Sequence, residues 1–298
     1  MMNERKGLLL LLAGAVMISF SAVFVKLAHV GPTTAGFYRM LFGGLLLLII
    51  VVARRGTLIE SSRMFILAGI CGLAFAVDLT LWHRSIHYVG PGLSTLLANL
   101  QVFFLAAYGI LVLGERLSWR LSVSIPLAVV GLIMIIGVDF AAMGPQYQLG
   151  VLFGVLTAMA YASYLLTLRK LRTESNQTSS FASITVISLI SALLLGLSAI
   201  PAGESLIIPD SETASILVAY GFFGQVAGWM LIAKGLPYVD ASRAGLVLLL
   251  QPALSFVWDI LIFHRPTTVG QAVGATLALA AIYIGGLTSR SEPALTGR

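Results

Sequence analysis

Positions 150 residues apart in this chain carry the same chemistry. Tyr88-Val89 recurs as Tyr238-Val239, Arg84 as Lys234, Gln101 as Gln251 and Ser118 as Thr268. Each set sits within the same succession of two apolar runs. Such a chain must fold as two related units, and a duplicated unit apolar enough for lipid is the sequence signature of a transporter built from repeats.

The composition requires the lipid. Hydrophobic residues make up 58% of the chain, charged residues 10%, and the mean hydropathy is +0.98. A water-soluble domain carries about a quarter charged residues, so this chain cannot cover a soluble surface of its size. Its 298 residues leave room for about ten segments of roughly 20 residues, the length that crosses a bilayer core. Apolar runs place these near 7–28, 32–53, 64–86, 91–113, 120–138, 149–168, 178–200, 213–233, 242–263 and 267–287. Gly31-Pro32, Gly90-Pro91 and Gly144-Pro145 punctuate three connections, where a helix is expected to stop and restart. The single cysteine, Cys71, lies in an apolar run and supports neither a disulfide framework nor a cysteine metal site.

The basic residues set an orientation. With the N-terminus inside, fourteen of the 18 lysines and arginines fall on the cytoplasmic side; Lys26, Arg84 and Arg265 fall outside, and Arg39 lies within a span. The net charge of +6 is thus the positive-inside bias rather than a nucleic-acid surface, and both termini are expected in the cytoplasm. Five spans per repeat is an odd number, so the repeats enter the membrane with opposite orientation. The expected architecture is an all-α integral membrane protein, ten transmembrane helices in two inverted five-helix repeats, 1–144 and 145–298. The apolar run after Arg5-Lys6 is too long for a cleavable signal peptide. Its removal would leave the first repeat one span short.

Polar residues inside the spans carry the functional signal. Arg39 lies seven residues past Pro32, about 10 Å below the outer surface at ~1.5 Å per residue. An arginine at mid-helix costs roughly 2.5–3.5 kcal/mol on insertion scales, so it must face protein or water. Its guanidinium fork suits a carboxylate or phosphate. Asp78, on the antiparallel third span, has a matching depth and is a candidate proton-coupling group; the alternative is a permanent Arg39–Asp78 salt bridge. Gln101 and Gln251 both fall near the midplane, entering from opposite sides, and repeat symmetry would bring them together. Their amides can donate to and accept from a polar or zwitterionic ligand; the alternative is an interhelical hydrogen bond. Asn99 and Pro252 adjoin them.

Gln225 and Trp229 in span eight, with Tyr161 and Tyr164 in span six, are further candidates for the substrate-binding wall. Trp82 is expected in the interfacial aromatic belt, and Ser19, Ser21 and Ser163 in helix packing. The four histidines fall near outer span ends. A metal site at Asp78, His83 and Arg84 is disfavoured, because a helix spreads them over three faces. Glu115-Arg116, at the cytoplasmic end of span four, is a candidate gate pair.

Phe37-Tyr38-Arg39, the run from Gly90-Pro91-Gly92-Leu93-Ser94 through Gln101 into Leu113-Gly114-Glu115-Arg116-Leu117-Ser118, and the second copy from Ala241-Ser242 to Gln251-Pro252 resemble the EamA-like members of the drug/metabolite transporter superfamily. The resemblance covers nearly the whole chain. It implies a ten-span secondary carrier, commonly an exporter of amino acids and related metabolites. The family's glycine-glutamate-arginine turn often recurs after span nine. Here that stretch is Phe263-His264-Arg265-Pro266, which leaves Glu115 without a symmetry mate.

Other classes fare worse. There is no Gly-x-x-x-x-Gly-Lys-Ser/Thr nucleotide loop for a primary pump. A channel would more naturally show charged rings or assemble from short subunits. An intramembrane enzyme needs a nucleophile and base within reach of each other, and the histidines are not expected near a midplane serine. A lipid or lipid-carrier flippase remains the rival reading, and it requires a groove open to lipid. The expectation is a multi-pass carrier of the cytoplasmic membrane, monomer or homodimer, moving a small-molecule metabolite by alternating access, with no cofactor, metal or nucleic-acid partner.

Overall fold

The computed structural model describes residues 4–58, 61–114, 118–136, 144–174, 180–235, 238–239 and 247–286. Every regular element among them is helical: α1 (Glu4–Ser19), α2 (Ser21–Leu27), α3 (Pro32–Ala53), α4 (Ser62–Val89), α5 (Pro91–Ala98), α6 (Gln101–Leu113), α7 (Trp119–Ile136), α8 (Pro145–Glu174), α9 (Ser180–Ala199), α10 (Ser211–Ala219), a π-helical segment (Tyr220–Ala227), α11 (Gly228–Gly235), α12 (Leu250–Phe263) and α13 (Val269–Gly286). Eight stretches are long and apolar enough to cross a bilayer, with α12 and α13 as two shorter apolar helices. Helices dominate because lipid offers no partner to a backbone N–H or C=O, and a helix satisfies its own.

Local chemistry sets the helix ends. Pro32 and Pro91 each occupy the first turn, where a missing N–H costs nothing. Ser61 and Asp210 cap α4 and α10 by accepting from Met64 N and Thr213 N. Gly90, at φ +87°, lets the chain turn between α4 and α5 in a region that only glycine enters freely.

Three of the long apolar stretches are interrupted. The first breaks at Phe20, between α1 and α2. The fourth breaks at Asn99-Leu100, and the chain shows a matching turn at Leu249, just before Gln251. The offset is again 150. The eighth stretch holds the π-helical segment, a rare geometry associated with functional sites.

The helices pack lengthwise in pairs: α4 along α8, α7 along α13, α3 along α9 and α1 along α11. Two main apolar cores result. One centres on Met40, Phe75, Leu79, Ile187 and Leu195, the other on Leu93, Leu97, Ala128, Ile135 and Ala278. Large side chains such as Ile49, Val52, Leu111 and Leu193 face outward, a surface suited to acyl chains.

Candidate functional site

Between the cores lies a cavity of about 330 Å³, within the usual range of small-molecule sites. Its wall is assembled from the helix breaks. Ser19 and Ser21 flank the break at Phe20, Asn99 lies in the break that Gln101 follows, and Leu249 is the turn just before Gln251. Arg39, Phe75, Asp78, Trp82, Thr157, Tyr161, Trp229 and Tyr283 complete much of it.

Arg39 is only 6% exposed. Its Nη1 donates to the Tyr220 hydroxyl at 3.1 Å and its Nη2 to the Gly224 carbonyl at 3.4 Å, while Nε has no partner. The guanidinium carbon lies 5.1 Å from the Tyr220 ring centroid, 5.8 Å from Phe75 and 5.9 Å from Trp82. An aromatic face stabilises a desolvated cation by about 2 kcal/mol or more. Among the described residues, no ion pair joins Arg39 to Asp78, although both line the cavity. A permanent salt bridge between them, one of the two expectations, is therefore absent. The guanidinium lies instead among neutral acceptors and ring faces.

Gln101 and Gln251 line the same cavity. Gln101 Oε1 is buried with no hydrogen-bond partner. Asn99 shares the wall, its side-chain amide donating to the Thr95 carbonyl at 2.8 Å. Tyr161 and Trp229 are on the wall as well.

Two expected wall residues lie elsewhere. Tyr164 stacks on Phe75 at 4.4 Å and belongs to the apolar core. Gln225 is buried away from the cavity, its Nε2 donating to the Ser188 hydroxyl at 3.0 Å. It sits within the π-helical segment, whose wider turn rotates side chains away from the face that a regular helix would give them. Glu115 and Arg116 lie outside the described residues.

Three functional neighbours differ from, or add to, the expectations. Trp82, expected in the interfacial belt, lines the cavity beside Arg39. His83 is fully buried and bonds Tyr220, although its position near a span end suggested a peripheral place. Tyr220 itself gave no signal, because its partners are 137 and 181 positions distant.

At the end of the bundle that carries the N-termini of α3 and α5, two carboxylates from the second half of the chain bond the first half. Glu204 accepts from Thr33 N at 2.8 Å, Thr33 Oγ1 at 2.7 Å and Thr34 N at 3.0 Å, with the Arg84 guanidinium 3.7 Å away. Asp259 accepts from Gly92 N at 3.0 Å and from Arg265 Nη1 at 3.2 Å. Each carboxylate thus meets the positive end of a helix dipole. Below Asp259, the Ser255 hydroxyl lies 3.1 Å from both the Pro91 carbonyl and the Thr95 hydroxyl. Together these contacts tie the two halves of the chain to each other at that end.

A bundle of apolar helices around a largely apolar cavity that holds Arg39, Asp78, Gln101 and Gln251 fits a multi-pass membrane transporter of small molecules. The chain belongs to the EamA-like transporter family, whose family model matches residues 5–137 and 148–286. It is 22% identical over 297 residues to an "Uncharacterized transporter" of Archaeoglobus fulgidus, covering 94% of this chain and 96% of the relative. It is 25% identical over 201 residues to a "Probable amino-acid metabolite efflux pump" of Salmonella typhimurium, covering 65% of this chain and 66% of that protein. A solved structure titled "Crystal structure of protein" shares the fold, with a TM-score of 0.65 at 19% identity over 96% of this chain and 98% of that one.

Proposed function

We propose that the protein is a secondary carrier that exports a small polar metabolite, an amino acid or a related compound, across the cytoplasmic membrane by alternating access. Ten spans form two inverted five-helix repeats, residues 1–144 and 145–298, with both termini in the cytoplasm. The observation that carries this reading is the cavity wall itself. A cation with no carboxylate ion pair, a carboxylate and two amides from corresponding positions of the two halves line one cavity. Arg39 receives an anionic group, Asp78 a cationic one, and Gln101 and Gln251 exchange hydrogen bonds with the remainder.

The name of the Salmonella typhimurium relative supports an amino-acid-like cargo and the outward direction. In the proposed topology the end tied by Glu204 and Asp259 faces outward, and release requires these contacts to part as one repeat rocks against the other.

The test is metabolite profiling of medium and cells that overproduce the wild type or Arg39→Ala at matched levels. A compound enriched in the wild-type medium alone names the cargo. No change in either compartment sinks soluble-metabolite export, and lipid translocation becomes the reading to pursue.

A further inference from the structure

The surroundings of Arg39 raise a question of charge. A buried guanidinium ordinarily recruits a carboxylate, yet Arg39 hydrogen-bonds the Tyr220 hydroxyl and the Gly224 carbonyl, both uncharged, while Asp78 shares the cavity without a direct ion pair. Behind Tyr220 stands His83, fully buried, with Nε2 3.0 Å from the Tyr220 oxygen and Nδ1 on the Leu79 carbonyl.

Hydrogen-bond stoichiometry fixes the order of this chain. A carbonyl can only accept, so His83 Nδ1 carries a hydrogen. If Nε2 also carried one, the Tyr220 oxygen would accept from both sides, and two cations would face each other across one hydroxyl away from water. With Nε2 bare, the Tyr220 hydroxyl donates to it and turns a lone pair toward Arg39. Every group is then satisfied: Leu79 carbonyl, Nδ1–H, Nε2, O–H, oxygen, Nη1–H. The side chain that meets Arg39 is thereby an oriented acceptor with no charge of its own.

We propose that Tyr220 and His83 are positioning residues that hold Arg39 toward the cavity without neutralising it, reserving its charge for an anionic group on the cargo. This rests on the cavity being the cargo site. A carboxylate at the Tyr220 position would hold the guanidinium equally well and leave no charge for a ligand. The neutral chain holds it and leaves the charge available. The π-helical segment contributes by presenting both the Tyr220 hydroxyl and the Gly224 carbonyl to the same guanidinium.

Two measurements on the full-length protein test this. The first needs no cargo: nitrogen NMR of histidine-labelled protein in lipid nanodiscs, with His83 assigned by the signal lost in His83→Gln. A neutral ring protonated at Nδ1, whose Nε2 signal moves in Tyr220→Phe, is the expected result. A proton on Nε2, on both nitrogens, or no response to Tyr220→Phe overturns the hydrogen-bond chain.

The second follows, in inside-out vesicles, the compound that wild type but not Arg39→Ala releases. Tyr220→Phe and His83→Leu should each raise its half-saturating concentration about tenfold or more, the scale of one charged hydrogen bond, with little change in maximal rate. His83→Gln keeps an acceptor for Tyr220 and should restore most of the loss. In the Tyr220→Phe background, His83→Leu should add nothing. Independent losses, or a fall in maximal rate at unchanged half-saturation, overturn the positioning role. If no Arg39-dependent compound exists, the cargo reading fails and takes the anionic-group clause with it. The NMR result then still decides the hydrogen-bond chain.

Discussion

The Glu204 carboxylate takes both the backbone N–H and the hydroxyl of Thr33, at 2.8 and 2.7 Å, across 171 positions of sequence. One side chain from the second half of the protein thereby caps a helix of the first. Asp259 repeats the device at Gly92. Both contacts lie where the proposed carrier must open.

Removing these carboxylates should therefore act on access as well as stability. Loss of one helix cap costs roughly 0.5–2 kcal/mol, so Glu204→Ala should lower thermal stability modestly. Glu204→Gln combined with Asp259→Asn should shift the protein toward the state open at that end. Thr95→Cys lies on the cavity wall just inside the Asp259 contact, and the native Cys71 is fully buried. A membrane-impermeant maleimide added to intact cells should label Thr95→Cys faster in the double variant. Equal labelling would show that the carboxylates do not restrain opening.

Gln101 should trade stability for transport. Its Oε1 has no hydrogen-bond partner on the protein and Gln101 lines the cavity, so replacing it removes no protein hydrogen bond at that oxygen. Gln101→Leu is expected to melt at the same or a higher temperature than the wild type while losing most export. A variant that is clearly less stable would mean the amide is part of the packing rather than of the cargo site.

Asp78 should carry the coupling if protons drive the cycle. It lines the cavity beside Arg39 without pairing to it, so it is free to bind a proton or a cationic group. Asp78→Asn should export at a rate insensitive to an imposed pH gradient. Full transport with the wild-type gradient dependence would exclude the role.

At the surface, Asp210 should give the fold an acid-sensitive contact. The Thr213 N–H, 2.6 Å from its Oδ1, holds its carboxyl below the usual carboxylate value, and His29 lies 3.9 Å away. A lowered value in the folded protein means that this contribution is full above the ordinary carboxylate value of 3.8. It is lost as pH falls through the folded value below that. Thermal melts of wild type and Asp210→Ala should differ at neutral pH and converge toward strongly acidic pH. A gap that persists under acid would assign the effect to something other than the charged cap.

What the sequence could reveal followed from physical cost. Arg39, Asp78, Gln101 and Gln251 stood out because polar groups are expensive in apolar runs, and their depths could be counted from Pro32, the end of span three, Pro91 and Ser242 respectively. The same reasoning could not assign Tyr220, His83 or Trp82. Tyrosine and tryptophan are equally at home in an interface, and their partners lie on other helices. Gln225 lies in the π-helical segment, where a regular helical phase does not give the direction of a side chain. The Glu204 and Asp259 contacts were invisible because a carboxylate near a span end has an ordinary explanation in water.

The orphaned Gln101 oxygen also bears on how such a protein persists. A glutamine codon becomes a leucine codon by a single-base change, so a chain at least as stable lies one mutational step away. Selection for folding alone would favour that step or be indifferent to it. A lineage that keeps the glutamine is expected to be under purifying selection on its cargo, and one that has lost its cargo should drift to leucine here first.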